Sequence, residues 1–171
     1  MREEAGVREQ GMHRRNIAVV ESAAVKGLEI EIRFLDHGAP TAKAAAGHLG
    51  VDVGAIANSL IFRAIGRSGA GRTILVMTSG AHRVDTAHLA EVIDVARIER
   101  ATPDQVLKAT GQIIGGVAPC GHPAPVETYV DRALSGYPQL WAAAGTVDSM
   151  FPLSYEELVR LTDGTEVEVA P

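Results

Sequence analysis

Apolar and polar positions along the chain form short repeating patterns that predict short strands and short helices. The alternation in "LEIEIRFL", residues 28–35, is typical of a half-buried strand. Two β-rich stretches flank the Gly-dense segment "GRSGAGR", which predicts a hairpin between them. The predicted strands, in chain order, are "LEIEIRFL", "NSLIFRAI", "TILVMTS", "LWAAAG", "SMFPL" and "TEVEVA", with a turn at Gly145 between the fourth and the fifth.

Helices are predicted where a capping residue precedes a run of good helix formers. Thr102 precedes Pro103, which suits the first helical position, and Gly111 follows the last one. The predicted helices are "TAKAAAGHLG", "DTAHLAEVI", "ATPDQVLKATG" and "SYEELVRLTDG". Because strands and helices interleave irregularly, we predict an α+β fold with a mixed sheet. Residues 1–27 are predicted to form a helical lead-in, and residues 28–171 are predicted to form one domain.

The composition is that of an ordinary globular domain with an aliphatic core. Of the 171 residues, 46% are hydrophobic but only 4% are aromatic, so Ala, Val, Ile and Leu must fill the interior. No apolar run approaches the roughly 20 residues of a membrane span, and the charged N-terminus does not resemble a signal peptide. We therefore expect a cytoplasmic protein with no membrane partner. The single cysteine, Cys120, excludes an internal disulfide and suits a reducing compartment.

The charge and the histidine spacing exclude several classes of function. The net charge of −5 argues against a duplex-DNA binder, which needs a basic face, although a local pocket could still contact one small piece of nucleic acid. The six histidines show no metal-binding spacing, and no phosphate-binding loop motif is present. We expect neither a metal nor a cofactor.

The stretch "TGQIIGGVAPCGHPAP", residues 110–125, is the most unusual part of the sequence. Gly115 and Gly116 remove every side chain that could block a ligand, and Pro119, Pro123 and Pro125 stiffen the rest. Such a loop can present a fixed run of main-chain N–H groups to a polar ligand, as an oxyanion hole does. The alternative is a connecting loop whose glycines only turn the chain.

An ordered series of segments resembles the YbaK/EbsC family, the free-standing relatives of the editing domain in bacterial prolyl-tRNA synthetases. The matching segments, from about His37 to Leu161, are "HGAPTAKAAAGHLGV", "IANSLIFRA", "TSGAHRVD", "GQIIGGVAPCGHPAP", "YVDRAL", "LWAAAG" and "FPLSYEELVRLT". The resemblance implies a mixed sheet forming a partly closed barrel with short helices around it. It also implies hydrolysis of the ester that joins a small amino acid, such as Ala, Cys, Ser or Thr, to the wrong tRNA. The implied partners are the 3′ end of aminoacyl-tRNA and an aminoacyl-tRNA synthetase.

The resemblance also suggests which residues form the site. The Gly-x-x-x-Pro loop of the family falls at Gly115–Pro119, and the resemblance implies that it lies against the aminoacyl carbonyl and the terminal adenosine. The expected catalytic residues are Asn58, Gly115 and Gly116. The expected substrate-binding residues are His37, Ser59, Val117, Ala118, Pro119, His122, Gly145 and Thr146.

The sequence departs from its relatives at two positions of the implied site. Asn58 stands where the best-known members carry Lys, and Leu35 stands where some carry Tyr. Because Asn lacks the charge and the reach of Lys, the alternative function is a non-catalytic protein that binds aminoacyl-tRNA or an aminoacyl-nucleotide. A regulatory domain with no RNA role is a third hypothesis. Cys120 is interpreted as a small buried side chain in preference to a nucleophile, because no base is aligned with it by spacing alone.

Overall fold

A computed structural model describes residues 12–171, so residues 1–11 of the predicted lead-in lie outside the described range. The helices are α1 (Arg14–Val25), α2 (Ala42–Leu49), α3 (Thr86–Val92), α4 (Pro103–Thr110) and α5 (Tyr155–Thr162). The strands are β1 (Arg33–Phe34), β2 (Ile56–Ile65), β3 (Gly71–Ser79), β4 (Arg97–Arg100), β5 (Glu127–Asp131), β6 (Leu140–Ala143), β7 (Ser149–Leu153) and β8 (Thr165–Val167). Two short 3₁₀ helices, Val53–Ala55 and Arg132–Gly136, precede β2 and follow β5.

The strands form one mixed, open sheet. Their order is β1-β7-β6-β2-β3-β5-β8, and β4 pairs with β2 outside this path. The β2–β6, β3–β5 and β5–β8 pairs are parallel, and the other pairs are antiparallel. The predicted α+β class with a mixed sheet is therefore confirmed. The predicted partial closure into a barrel is wrong for the described residues, because the end strands have only two and three residues and do not pair with each other.

The central hairpin of β2 and β3 carries the two main hydrophobic clusters, one on each face. Leu75 and Met77 of β3 face a cluster that includes α1, α4 and α5. Ile74 and Val76, at the alternate positions, face a second cluster that includes α3 and β4. A third, smaller cluster joins α2 to the start of β2. The buried β3 thus fixes the position of β2, on which the predicted site lies.

The sequence patterns located the helices and the hairpin correctly but misjudged three strands. Residues 28–32 alternate in burial as expected, yet only Arg33–Phe34 pairs with a neighbour, so the rest forms no ladder. β4 and β5 were not predicted. β4 is mostly polar and exposed, and β5 follows directly on the proline-rich loop, so that only pairing with β2 and β3 makes them strands.

The helix termini follow from side-chain caps. Thr41 Oγ1 accepts from Ala44 N at the start of α2, and Ser154 and Glu157 form the predicted capping box of α5. Helix α1 lies within the predicted lead-in and is not separate from the rest, because its Val19 belongs to the main core cluster. In residues 12–171 no helix has both the length and the apolar character that crossing a membrane requires.

Candidate active site

The predicted site residues Asn58 and Ser59 lie on the part of β2 that has a paired strand on one edge only. β3 pairs with β2 along nearly its whole length, so β4 and β6 must share the other edge of β2. On that edge β6 pairs only with Ile56 and Ala57, and β4 pairs only with residues 62–65. Residues 58–61 therefore have no strand neighbour on this edge within the described chain.

Ser59 directs its main-chain groups toward this open edge. In an antiparallel ladder the main-chain groups of successive residues point alternately to the two sides. Gly80 N donates to Ile56 O on the β3 side at 2.9 Å, and Ala101 N donates to Ile61 O on the opposite side at 3.3 Å. By this alternation the N–H and C=O groups of Ser59 point away from β3, into the gap.

A small pocket opens at the gap. We call it the β2 pocket, and its volume is about 40 Å³. A single water needs roughly 10–15 Å³ by the same measure, so the pocket has room for only a small group. Alanines from three elements make the space, and larger apolar side chains close it. The lining consists of Ala39, Pro40, Thr41, Ala42, Ala45, Ile56, Ala57, Asn58, Ser59, Gly115, Val117, Ala143, Val147, Ser149 and Met150.

A tight turn brings the glycine-rich loop to this pocket. Gly116 N donates to Ile113 O at 2.9 Å, which closes a turn over residues 113–116. Gly115, the third residue of the turn, has φ +93°, a conformation that favours glycine. The next residue approaches another main chain directly, because a Cβ on Gly116 would lie 2.8 Å from the carbonyl carbon of Thr146. The loop and the 145–148 turn therefore meet without intervening side chains.

The main-chain amides of this loop fall into two groups. The amides of Gly116 and Ala118 are used internally, since they donate to Ile113 O and to Gln112 Oε1. The amides of Gly115 and Val117 find no acceptor anywhere in residues 12–171, and both residues line the β2 pocket. The predicted run of free amides is therefore reduced to two, and these two lie beside a real cavity.

Gln112 holds the loop in this conformation. Its side chain is fully buried, its Oε1 accepts from Ala118 N at 2.8 Å, and its Nε2 donates to Cys120 O at 3.2 Å. Thr110 Oγ1 in turn accepts from Gln112 N at 3.1 Å. Sequence reasoning missed Gln112, because nothing about a glutamine in a loop indicates that its side-chain amide will hydrogen-bond the main chain of that loop.

Among the polar side chains of the β2 pocket, only Asn58 is without a partner. Thr41 caps α2, and Ser149 Oγ accepts from Asn16 Nδ2 at 3.0 Å. Ser59 Oγ lies 3.3 Å from Met77 Sδ, a weak acceptor. Asn58 makes no side-chain hydrogen bond to any residue of the described range and is half-buried. Its amide is therefore available to a ligand or a water in the pocket.

Helix α1 supports the pocket from behind through a second residue that sequence reasoning missed. Asn16 is fully buried, and its Nδ2 also donates to Ala144 O at 2.8 Å. Thr146 and Ser149 complete the network, with 2.6 Å between their hydroxyl oxygens. The network orders the turn that carries Val147 into the pocket wall. The sequence signal that could have identified Asn16 is a polar residue on the apolar side of a helix, because such a residue needs hydrogen-bond partners once it is buried.

Several predicted site residues lie outside the β2 pocket. His37 is exposed, three residues before the pocket residue Pro40. Gly145 packs on α1, where a Cβ would lie 2.8 Å from Arg15 O, and Thr146 belongs to the hydrogen-bond network behind the wall. Gly116 and Ala118 shape the loop but do not line the pocket. Pro119 and His122 line a different depression, which we call the Cys120 groove, together with Cys120, Pro123, Pro125 and Lys26.

The side chains of the Cys120 groove are poorly suited to chemistry. Burial raises the pKa of the Cys120 thiol to about 11, so the nucleophilic thiolate is scarce near neutral pH. Burial also lowers the pKa of His122, whose Nε2 lies 2.9 Å from Ala118 O. Both groups therefore hold the loop as neutral, packed side chains.

A histidine–carboxylate pair elsewhere also lacks a nucleophile. His82 Nδ1 lies 3.1 Å from Asp131 Oδ2, next to Ser79. The Ser79 hydroxyl is buried and donates to Gly54 O at 2.7 Å, and Ser79 N donates to the same carboxylate. This group of residues ties the end of β3 to β5 and gives no serine-type active site.

The fold and the β2 pocket define a mixed-sheet domain with a small pocket beside free main-chain donors. The chain belongs to the family of the aminoacyl-tRNA editing domain, whose model matches residues 36–161. This match includes the whole lining of the β2 pocket and leaves α1 outside.

Individual proteins are also similar to the chain. The chain is 29% identical to the uncharacterized protein YwhH of Bacillus subtilis over 130 residues, which are 76% of this chain and 80% of YwhH. It is also 29% identical to part of the proline–tRNA ligase of Bacillus pumilus over 103 residues, which are 60% of this chain and 17% of the ligase. A solved structure described as a candidate trans-editing enzyme for prolyl-tRNA synthetase is 32% identical, with a TM-score of 0.82 over 94% of this chain and 99% of that chain.

Proposed function

We propose that the protein is a deacylase that hydrolyses the ester of tRNA charged with a small amino acid and that it acts in trans on this tRNA. The observation that carries the proposal is the pair of free amides at Gly115 and Val117 beside a cavity of about 40 Å³. Membership of the editing-domain family and the similarity to a candidate trans-editing enzyme support it. Charged tRNA is made and used in the cytoplasm, which is where we place the activity.

The proposed reaction needs positioned donors more than an ionisable residue. No described residue that lines the β2 pocket is ionisable. Water attacks the carbonyl carbon, a new C–O bond forms, and the bond to the ribose oxygen breaks. The ribose oxygen takes up the proton that the water loses, so the products are the amino acid and tRNA with a free terminal hydroxyl. The neighbouring ribose hydroxyl can orient the attacking water.

In this scheme the loop stabilises the charge that develops on the carbonyl oxygen. The amides of Gly115 and Val117 donate to it, and one such donor contributes about 2.7–4 kcal/mol to the transition state. The alanine-lined walls admit a small side chain and exclude a larger one, which is the sieve logic of editing sites. Asn58 orients the water or the substrate amine through its unpaired amide.

The alternative function, non-catalytic binding of aminoacyl-tRNA, has one observation in its favour. Asn58 is uncharged at the position where the best-known relatives carry Lys, so the pocket has no cation of its own. A binding protein would shield the ester from water, whereas a deacylase would speed its loss. The same measurement therefore separates the two functions.

The test is to follow ester loss from tRNAs charged with labelled Ala, Cys, Ser or Thr, with and without the purified protein. We expect faster loss for at least one of the four and no effect on tRNA charged with a bulky residue such as Phe. Unchanged rates for all four, with the protein folded, would contradict deacylation. Rates below those in buffer would establish the binding alternative.

Variants at Asn58 then test the pocket itself. Asn58→Ala should slow hydrolysis about tenfold through loss of the polar contact, and Asn58→Lys should raise it if the missing charge limits turnover. Ser68→Lys is the matched control. Ser68 is exposed in the β2–β3 turn, so this substitution adds the same charge away from the pocket. An equal gain from both lysines would mean general attraction of tRNA.

We further propose that a partner, such as an aminoacyl-tRNA synthetase, supplies most of the affinity for tRNA. The chain has a net charge of −5, which disfavours strong binding to a polyphosphate backbone. Binding of isolated tRNA should therefore be weak and should fall further as salt is raised.

A further inference from the structure

Val147 differs from the other large apolar residues of the β2 pocket in what it packs against. Ile56, Val117 and Met150 are nearly fully buried and belong to the hydrophobic clusters of the core. Val147 is half-buried and belongs to none of the three clusters of the described residues. A change in the size of its side chain therefore alters the shape of the pocket before it alters the packing of the core.

The two methyl groups of Val147 lie between two segments that carry glycine. A Cβ on Gly115 would lie 3.2 Å from Cγ1 of Val147, and a Cβ on Gly38 would lie 3.4 Å from its Cγ2. Cγ1 is thus beside the main chain of Gly115, whose free amide is one of the proposed donors to the carbonyl oxygen. An acyl group held by this amide has the Val147 side chain as a neighbour.

Hydrogen bonds from two other parts of the chain hold the turn that carries Val147. Asn16 Nδ2 of α1 donates to Ala144 O at 2.8 Å and to Ser149 Oγ at 3.0 Å, one on each side of the turn. Val147 O itself accepts from Ala39 N at 2.9 Å. The position of the Val147 side chain is therefore fixed by contacts that lie behind the pocket wall.

The partners of Asn16 fix its amide in one orientation. Oδ1 accepts from His13 N at 3.2 Å at the N-terminus of α1, so Nδ2 faces the turn. The three oxygens around Nδ2 belong to Ala144, Thr146 and Ser149. Because Asn16 is fully buried, water cannot replace these contacts if the side chain is shortened. Helix α1 therefore holds the pocket wall, although it lies outside residues 36–161 that match the family model.

We propose that Val147 sets the upper limit on the size of the amino acid, and that Asn16 is a positioning residue that holds Val147 in place without touching the substrate. This inference rests on the proposed function, since it concerns the selectivity of the same pocket. It makes an alanyl ester a better substrate than a valyl ester, because one extra methylene in an apolar pocket changes discrimination by about 10–200-fold.

The first test compares ester loss from the same tRNA charged with Ala or with Val. Val147→Ala removes two methyl groups from the wall and should raise the ratio of kcat/KM for Val to that for Ala at least tenfold, whereas Val147→Ile should lower it. Val51→Ala is the matched control. Val51 is also half-buried, and it packs on the cluster at α2 without lining the pocket, so its loss of two methyl groups should leave the ratio unchanged.

The second test separates positioning from a general loss of stability. Asn16→Ala and the milder Thr146→Val, which removes only one hydroxyl of the network, should both raise the Val to Ala ratio, the first by about fivefold or more. A smaller folded fraction lowers both rates by the same factor and leaves the ratio unchanged. Val130→Ala is the control, because Val130 is fully buried in β5, which pairs only with β3 and β8. It should lower the urea midpoint and keep the ratio within twofold.

The outcomes separate this inference from the proposed function. If the wild type hydrolyses no charged tRNA, deacylation fails, and NMR titration with alaninamide and valinamide decides the size limit without turnover. Alaninamide should then shift the two free loop amides more than valinamide does, and Val147→Ala should remove the difference. Equal shifts, or no shift by either probe, would overturn the inference.

Where hydrolysis is present, the ratios decide. Equal effects of Val147→Ala and Val51→Ala on the Val to Ala ratio would overturn the size limit. A ratio that Asn16→Ala and Thr146→Val leave at the wild-type value, or that Val130→Ala raises as much, would overturn the positioning role of Asn16.

Discussion

The loop over residues 110–125 has two sides that differ in the groups they offer to a ligand. The side without reactive side chains has free main-chain donors, and the side with reactive side chains holds them in neutral form. The side that faces the β2 pocket offers Gly115 and Val117, which have no reactive side chain but carry free amides. The side that faces the Cys120 groove offers a thiol and an imidazole, and burial keeps both neutral. Reactive residue types therefore do not locate this site, because their environment removes their reactivity.

The second side nevertheless supports the first. Cys120 Sγ points to Val19 O of α1 at 3.6 Å, and His122 Nε2 binds Ala118 O. Gln112 joins the two sides, because its amide binds the main chain at both Ala118 and Cys120. With these contacts satisfied on one side, the amides on the other side are held in place without being used.

The largest effect is expected on the pocket side, from Gly116→Ala. The new Cβ would lie 2.8 Å from the main chain of Thr146, which cannot move as a flexible side chain could. We expect the free energy of unfolding to fall by about 3 kcal/mol, the upper range for overpacking, and hydrolysis to be lost. Urea unfolding followed by Trp141 fluorescence measures the first effect.

Gly136→Ala is the control for this change. Gly136 lies in a 3₁₀ helix, and nothing is within 4 Å of the position of its Cβ, so stability should stay the same or rise slightly. Similar losses in both variants would mean that the close approach of the two loops is not what makes Gly116 essential.

A smaller effect is expected from pH through His122. Its pKa is lowered in the folded protein, so between that value and about 6.5 the unfolded chain binds more protons than the folded one. Stability should therefore be complete above about pH 6.5 and should fall as the pH drops below it. His122→Gln, which keeps a donor for Ala118 O, should flatten the dependence of the urea midpoint between pH 8 and pH 5.5.

His48→Gln is the matched control for this experiment, because His48 is exposed on α2. If both substitutions flatten the pH dependence equally, or if the wild type is most stable at pH 5.5, the role assigned to His122 is wrong.

The smallest effect is expected at the residue that looks most reactive. Cys120→Ala should leave hydrolysis of charged tRNA within twofold, because a thiol with a pKa of about 11 does not act as the nucleophile. A thiol reagent at pH 7.5 should modify the folded protein far more slowly than the urea-unfolded chain. A tenfold loss of activity in a folded Cys120→Ala protein would instead place the thiol in the reaction.

Local sequence patterns correctly predicted the helices and the hairpin, which residues close in sequence stabilise. The caps at Thr41, Thr102 and Ser154 act within three residues, and the β2–β3 hairpin depends on its own glycine-rich turn. The same reasoning failed for β4 and β5, which carry no alternating pattern of their own. Their pairing with β2 and β3 makes them strands, and pairing depends on residues distant in sequence.

Residue types and their order were enough to predict the class of fold, the family resemblance, the stiff glycine- and proline-rich loop and the candidate residue Asn58. The tertiary structure alone decided which amides stay free, how small the pocket is and that Asn16 and Gln112 hold it. The reason is that a main-chain donor stays free only where the fold brings no acceptor to it, and the contacts that set the fold here join residues more than one hundred positions apart, such as Asn16 with Ala144 and Cys120 with Val19.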